Sequence, residues 1–112
     1  MKKLFILFAL LFSSTTLADI TCQGEVHNVL QYTDGSVNVL TSYRKGYMVM
    51  CNIDQHHKGT NPETCRGVLS VLLTAQSTGK KIEAYYSGNQ YTCDTIPTYW
   101  QAPRPVYVGI VQ

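Results

Sequence analysis

The chain has 112 residues, of which 45% are apolar, 11% aromatic and 14% charged, a balance that excludes a long disordered tail, a collagen-like repeat and a multi-domain enzyme. Its formal charge of +2 resides in Lys2 and Lys3. Without them seven basic residues face seven acidic ones, so the cationic excess on which non-specific nucleic-acid binding depends is missing.

Lys2 and Lys3 precede an unbroken apolar run over residues 4–12, and a polar stretch at 13–16 leads to small residues at Thr16 and Ala18. This is the pattern of a secretory signal peptide over residues 1–18, cleaved near Ala18, with a single domain over 19–112. The run is shorter than the ~20 residues that span a bilayer. The expectation is therefore a secreted or periplasmic protein without membrane insertion. Cleavage removes Phe5, Phe8 and Phe12 and leaves the eight tyrosines and Trp100 as the aromatic content. Such rings carry a hydrogen-bonding handle and suit surfaces that are dry on one side and wet on the other. Tyr is also a good strand former, so the plainer reading is that most of these tyrosines decorate a sheet.

The remaining elements follow in chain order. Residues 22–32 alternate imperfectly, with Val26, Leu30 and Tyr32 on one parity, and end at Thr33-Asp34-Gly35, a strong hairpin signal. SVNVLTSY, 36–43, places Val37, Val39 and Tyr43 on one face and breaks at Arg44-Lys45-Gly46. YMVMCNI, 47–53, is nearly all apolar and suits a central strand. After a polar loop over 54–60 the period changes. Asn61 is a good N-cap, Pro62 fits the first helical position, and Glu63 sets negative charge on the positive end of the helix dipole. Cys65, Val68, Leu69, Leu72, Leu73 and Ala75 recur at three- and four-residue spacing, and Gly79 follows as the left-handed terminator. Residues 80–87 form a fourth strand, with Ile82, Ala84 and Tyr86 on one parity and Lys81, Glu83 and Tyr85 on the other. A long loop then carries Cys93, Trp100 and three prolines before a closing strand at 106–111. Long loops in compact domains are usually functional or tied down.

Four cysteines in a small exported chain read as two disulfides with three possible connectivities; metal ligation is the competing reading, but no CxxC pair exists. Three strands, a helix and two strands is the layout of the OB-fold, a mainly β, five-stranded Greek-key barrel with its helix between strands 3 and 4. In that layout strand 1 runs antiparallel to strand 4. Cys22 then lies near Cys93, which leaves Cys51 with Cys65.

The segment 69–88, LSVLLTAQSTGKKIEAYYSG, resembles the helix and fourth strand of the B subunits of subtilase cytotoxin and of typhoid and pertussis-type toxins: a helix ending in Ala and Thr-Gly, two residues, then a strand ending Tyr-Tyr. YMVMC and PVYVGIV fall where that family has its Cys-bearing strand and its last strand. The resemblance implies a homopentameric ring that binds sialylated host glycans and delivers a separate catalytic A subunit. It implies that Tyr86 helps hold the sugar. It also sets Glu25 near the place where relatives typically supply a Ser hydroxyl, and a carboxylate there repels an anionic sialic acid.

Independently of family, sugar recognition stacks the apolar face of a pyranose on Tyr or Trp and satisfies its hydroxyls with polar neighbours. Residues 85–104 hold Tyr85, Tyr86, Tyr91, Tyr99 and Trp100 among Asn89, Gln90, Asp94, Gln101 and Arg104. The plainer reading is that Tyr99 and Trp100 cap the barrel or pack in an oligomer interface. Catalysis is not expected. Asp54, His56 and His57 sit in one loop without a third spaced metal ligand, no GxSxG elbow occurs, and paired cysteines leave no nucleophilic thiol. No cofactor is implied. Two functions stand: a secreted glycan-binding module of the toxin-B type, with Tyr85, Tyr86, Glu25, Tyr99 and Trp100 as candidate contacts, or a stand-alone periplasmic OB-fold protein for a small ligand or a protein partner.

Overall fold

A computed structural model describes residues 19–88 and 90–112; the expected leader at 1–18 lies outside the described residues. The elements are β1 (Ile20–Gln31), β2 (Ser36–Thr41), β3 (Arg44–Asn52), α1 (Pro62–Thr78), β4 (Lys81–Tyr86) and β5 (Tyr107–Val111). The five strands make one antiparallel sheet in the order β3-β2-β1-β4-β5. No ladder joins β3 to β5 among the described residues.

Strand β1 organises the sheet because its two halves pair with different partners. Ile20 to Glu25 pair with β4, and Val26 to Gln31 pair with β2. The register shifts between Val26 and Asn28, a bulge that bends the strand and reverses which parity faces inward. Before it Cys22, Gly24 and Val26 are buried; after it Val29 packs against the core, while Leu30 and Tyr32 are exposed. The expectation that Val26, Leu30 and Tyr32 share a face fails for this reason. Gly24 serves a close approach: a Cβ there would lie 2.5 Å from the Ser42 hydroxyl, and that hydroxyl accepts from the Glu25 N–H at 2.9 Å.

Two other expectations are corrected. The β2–β3 turn is Ser42-Tyr43, flanked by the Thr41–Arg44 pair, so Arg44-Lys45-Gly46 begins β3 rather than forming the break. Strand β3 is also terminal in the sheet order, not central. Its apolar character arises because the long β4–β5 connection covers its outer edge, where Tyr99 bridges Met48 in parallel.

Helix α1 follows its local signals. The Asn61 side chain accepts from the Thr64 N–H at 2.8 Å, and Gly79 takes the left-handed conformation, φ 70°. Cys65, Leu72 and Ala75 are buried and Val68 and Leu69 partly so, whereas Leu73 faces solvent. The core joins this stripe to Val37, Val39, Met48, Met50, Ile82, Ala84 and Tyr86 from the sheet.

Two disulfides staple the fold, Cys22–Cys93 and Cys51–Cys65, with Cα separations of 5.7 and 5.5 Å. The first ties β1 to the long loop; the second ties β3 to the first turn of α1. They close 71 and 14 residues of chain, which in the chain-entropy model is worth about 4 and about 3 kcal/mol. Replacing each pair by alanines should lower urea-unfolding stability by these amounts, with the larger loss for Cys22/Cys93; the reverse order would contradict the loop-entropy account.

Candidate functional site

The β4–β5 connection is held to the sheet at several independent points. Besides Cys93, the Arg44 Nε donates to the Ile96 carbonyl at 2.7 Å, and Ile96 is fully buried. The Tyr99 N–H donates to the Tyr47 carbonyl at 2.7 Å, and the Val49 N–H to the Tyr99 carbonyl at 3.3 Å. Gly46 permits this approach, since a Cβ there would lie 2.7 Å from the Thr98 methyl. On the far side, residues 57–60 form a small hairpin whose two central residues, Lys58 and Gly59, have φ of 49° and 87°. Positive φ at both positions is the signature of a primed turn. From its tip the Lys58 ammonium donates to the carbonyls of Trp100 and Ala102 at 2.9 and 2.7 Å.

These restraints hold Tyr99 at φ 54°, a left-handed conformation that costs a bulky residue roughly 1–3 kcal/mol. The result is a pair of consecutive aromatic rings on the surface, Tyr99 49% and Trp100 51% exposed. Tyr47 lies beside Tyr99 with ring centroids 6.5 Å apart, and the His57 ring lies 5.7 Å from Trp100. Asn28 donates its side-chain amide to the Tyr47 hydroxyl at 3.0 Å. His57 Nε2 is buried without a hydrogen-bond partner among the described residues, and burial, with the Lys58 charge adding to it, holds its imidazole below the ordinary value.

A second polar and aromatic surface lies on the outer face of β1, β4 and β5. Register brings Thr21, Tyr85 and Tyr107 into one row, Gln23, Glu83 and Gly109 into the next, and Glu25, Lys81 and Val111 into a third. The Tyr85 and Tyr107 rings stack at 5.5 Å and 11°. The Tyr107 hydroxyl donates to Glu83, which also accepts from the Gln23 amide at 2.7 Å. The Tyr85 hydroxyl donates to Asp19, which also accepts from the Gly88 N–H at 2.7 Å. Each carboxyl is held below its ordinary range, Asp19 by the Tyr85 hydroxyl and then the Gly88 N–H, Glu83 by the Tyr107 hydroxyl and then Gln23. Each phenol is pushed up in turn by its carboxylate.

The five sequence candidates therefore separate. Tyr99 and Trp100 share the pinned loop; Tyr85 and Glu25 share the outer face of the sheet. Tyr86 belongs to neither, because β4 turns it inward with Ile82 and Ala84, at 1% exposure. Burial, with Tyr43 beside it, raises its phenol pKa. The resemblance-based assignment of Tyr86 to a sugar contact is thus corrected: its ring has no surface to offer. Tyr107, Asp19, Gln23 and Tyr47 are surface partners that the sequence reading did not single out. Among the described residues no three His, Cys, Asp or Glu side chains converge on a metal position, and both His56 and Asp54 are exposed.

A groove of about 570 Å³ opens between β3, α1 and β5. Its walls include Met50, Val68, Val71 and Val108, and Arg104 stands in it. This size falls within the range of about 300–1,000 Å³ typical of ligand clefts. No family model, no curated protein and no solved structure matches the chain.

The Asp19–Tyr85 contact has a defined pH window. A depressed carboxyl pKa stabilises the fold above the ordinary carboxylate value near 4, and that contribution disappears as pH falls through the folded-state value. The raised phenol pKa contributes fully below about pH 10 and is lost as pH climbs through its folded value. Asp19→Asn should bring the Tyr85 ring titration, followed by NMR, down towards the ordinary tyrosine value. An unchanged Tyr85 titration would contradict the pairing.

Proposed function

We propose that this protein is an exported, non-catalytic glycan-binding module of OB-fold type, related to toxin B subunits. The strand order β3-β2-β1-β4-β5, the helix between β3 and β4, and a first strand shared by both halves of the sheet support the OB-fold reading. The β4–β5 loop is a habitual binding loop of such barrels. Two disulfides suit an oxidising compartment, and no described helix is long and apolar enough to cross a membrane.

The observation that carries the glycan reading is the pair Tyr99 and Trp100, both half exposed on a loop that is fastened on both sides. Rings fixed in advance lose little entropy when a pyranose stacks on them. Carboxylate, amide and hydroxyl groups at Asp19, Gln23, Glu83 and Tyr85 supply a second surface for sugar hydroxyls. Several carboxylates on that face, Glu25 among them, favour a neutral saccharide over a sialylated one. Assembly as a pentameric ring and delivery of a catalytic A subunit follow from the resemblance and belong to the same proposal.

The stand-alone alternative, a periplasmic module for a small ligand or protein partner, is favoured by the apolar groove beside β5. A glycan array probed with the purified protein and with Trp100→Ala decides the first reading. The variant should keep its melting temperature and weaken binding about tenfold or more, which corresponds to roughly 1.4 kcal/mol. Absence of any bound glycan, or a variant that binds as wild type, would contradict it. Native mass spectrometry tests the ring: five copies are expected, and a monomer would remove the toxin-like assembly.

A further inference from the structure

We infer that the groove between β3, α1 and β5 receives the C-terminal end of an extended polypeptide, added as a strand to the free edge of β5 with its carboxylate on Arg104. This goes beyond the glycan reading and stands on different residues.

Among the described residues strand β5 is paired on one side only, to β4. In such a strand alternate N–H and C=O groups point away from the partner and form a template for another strand. The opposite edge of the sheet does not close this gap. The long loop bridges β3 around Met48 and Val49, and beyond that bridge Met50 and Cys51 line the groove instead of pairing with β5. The floor is the side of α1 that carries Thr64, Gly67, Val68 and Val71. Side chains of an added strand alternate between two directions. One set would meet Val68, Val71 and Met50, an aliphatic wall suited to Val, Ile or Leu and offering little to sugar hydroxyls.

Polarity fixes the orientation. Arg104 lies three residues before the start of β5 and lines the same groove. Among the described residues the one ion pair joins Arg66 to Glu63, so the Arg104 guanidinium has no carboxylate partner there. A strand antiparallel to β5 places its C-terminal end beside the start of β5. Its terminal carboxylate then reaches Arg104, where a charge-assisted and bidentate contact is available.

Gly67 provides a clean test, because a Cβ there would meet nothing within 4 Å and replacing a helical glycine removes a propensity penalty. Gly67→Phe should fill the groove and unfold at a urea concentration no lower than wild type. Random heptapeptides displayed with free C-termini should be enriched by the wild-type protein and not by Gly67→Phe, with branched aliphatic residues at alternating positions. Amidating the C-terminus of a selected, synthesised peptide should weaken binding about tenfold, and Arg104→Gln should make acid and amide equal. The inference is overturned by no enrichment over Gly67→Phe, by equal affinity of acid and amide for wild type, or by a dimer that Gly67→Phe dissociates, which would assign the groove to a second copy of this chain.

Discussion

The fastening of the β4–β5 connection to the sheet is the constraint on which the rest of the molecule depends. Ordering a chain segment costs about 1–2 kcal/mol per residue in backbone entropy, and the described residues of the 87–106 connection form no helix or strand of their own. Their order is supported by a disulfide from β1, a guanidinium contact from Arg44, backbone bonds to β3 and the Lys58 clamp. The same contacts cover the outer edge of β3 and bury Ile96 and Ala102. They also hold Tyr99 in a conformation that a free loop would abandon.

Local chemistry was legible in the sequence, and long-range chemistry only where the strand order implied it. The cap at Asn61, the proline at 62 and the left-handed Gly79 act within one helical turn, and α1 begins and ends where they indicate. The disulfide partners follow from strand order alone. Arg44-Lys45-Gly46 has turn-like composition, but Gly46 is there so that Thr98, more than fifty residues away, can approach β3; nothing nearby in the chain announces this. The bulge after Val26 likewise depends on β1 changing partners midway. Tyr86 is the instructive case. Its parity with Ile82 and Ala84 already placed it inward, and the resemblance to toxin B subunits pointed the other way. The left-handed Tyr99 carries no sequence signal, because its conformation is imposed by β3 and Lys58.

The surface chemistry divides by strand geometry. The outer face of β1, β4 and β5 presents hydrogen-bonded pairs in which the carboxylates stay ionised and the phenols protonated across neutral pH. The loop presents two half-exposed aromatic rings. The groove beside β5 presents aliphatic walls and one cation. On the readings proposed above, a sugar would meet the first two surfaces and an extended peptide the third. One small sheet can carry both because its order leaves the two terminal strands in different circumstances, β3 covered by the loop and β5 open.

Backbone 15N relaxation across residues 95–102 measures the fastening directly. If the loop is a fixed platform, its order parameters equal those of β3, about 0.85. Values below about 0.6 would mean that the aromatic pair is not held in place, and the account of this surface would fail.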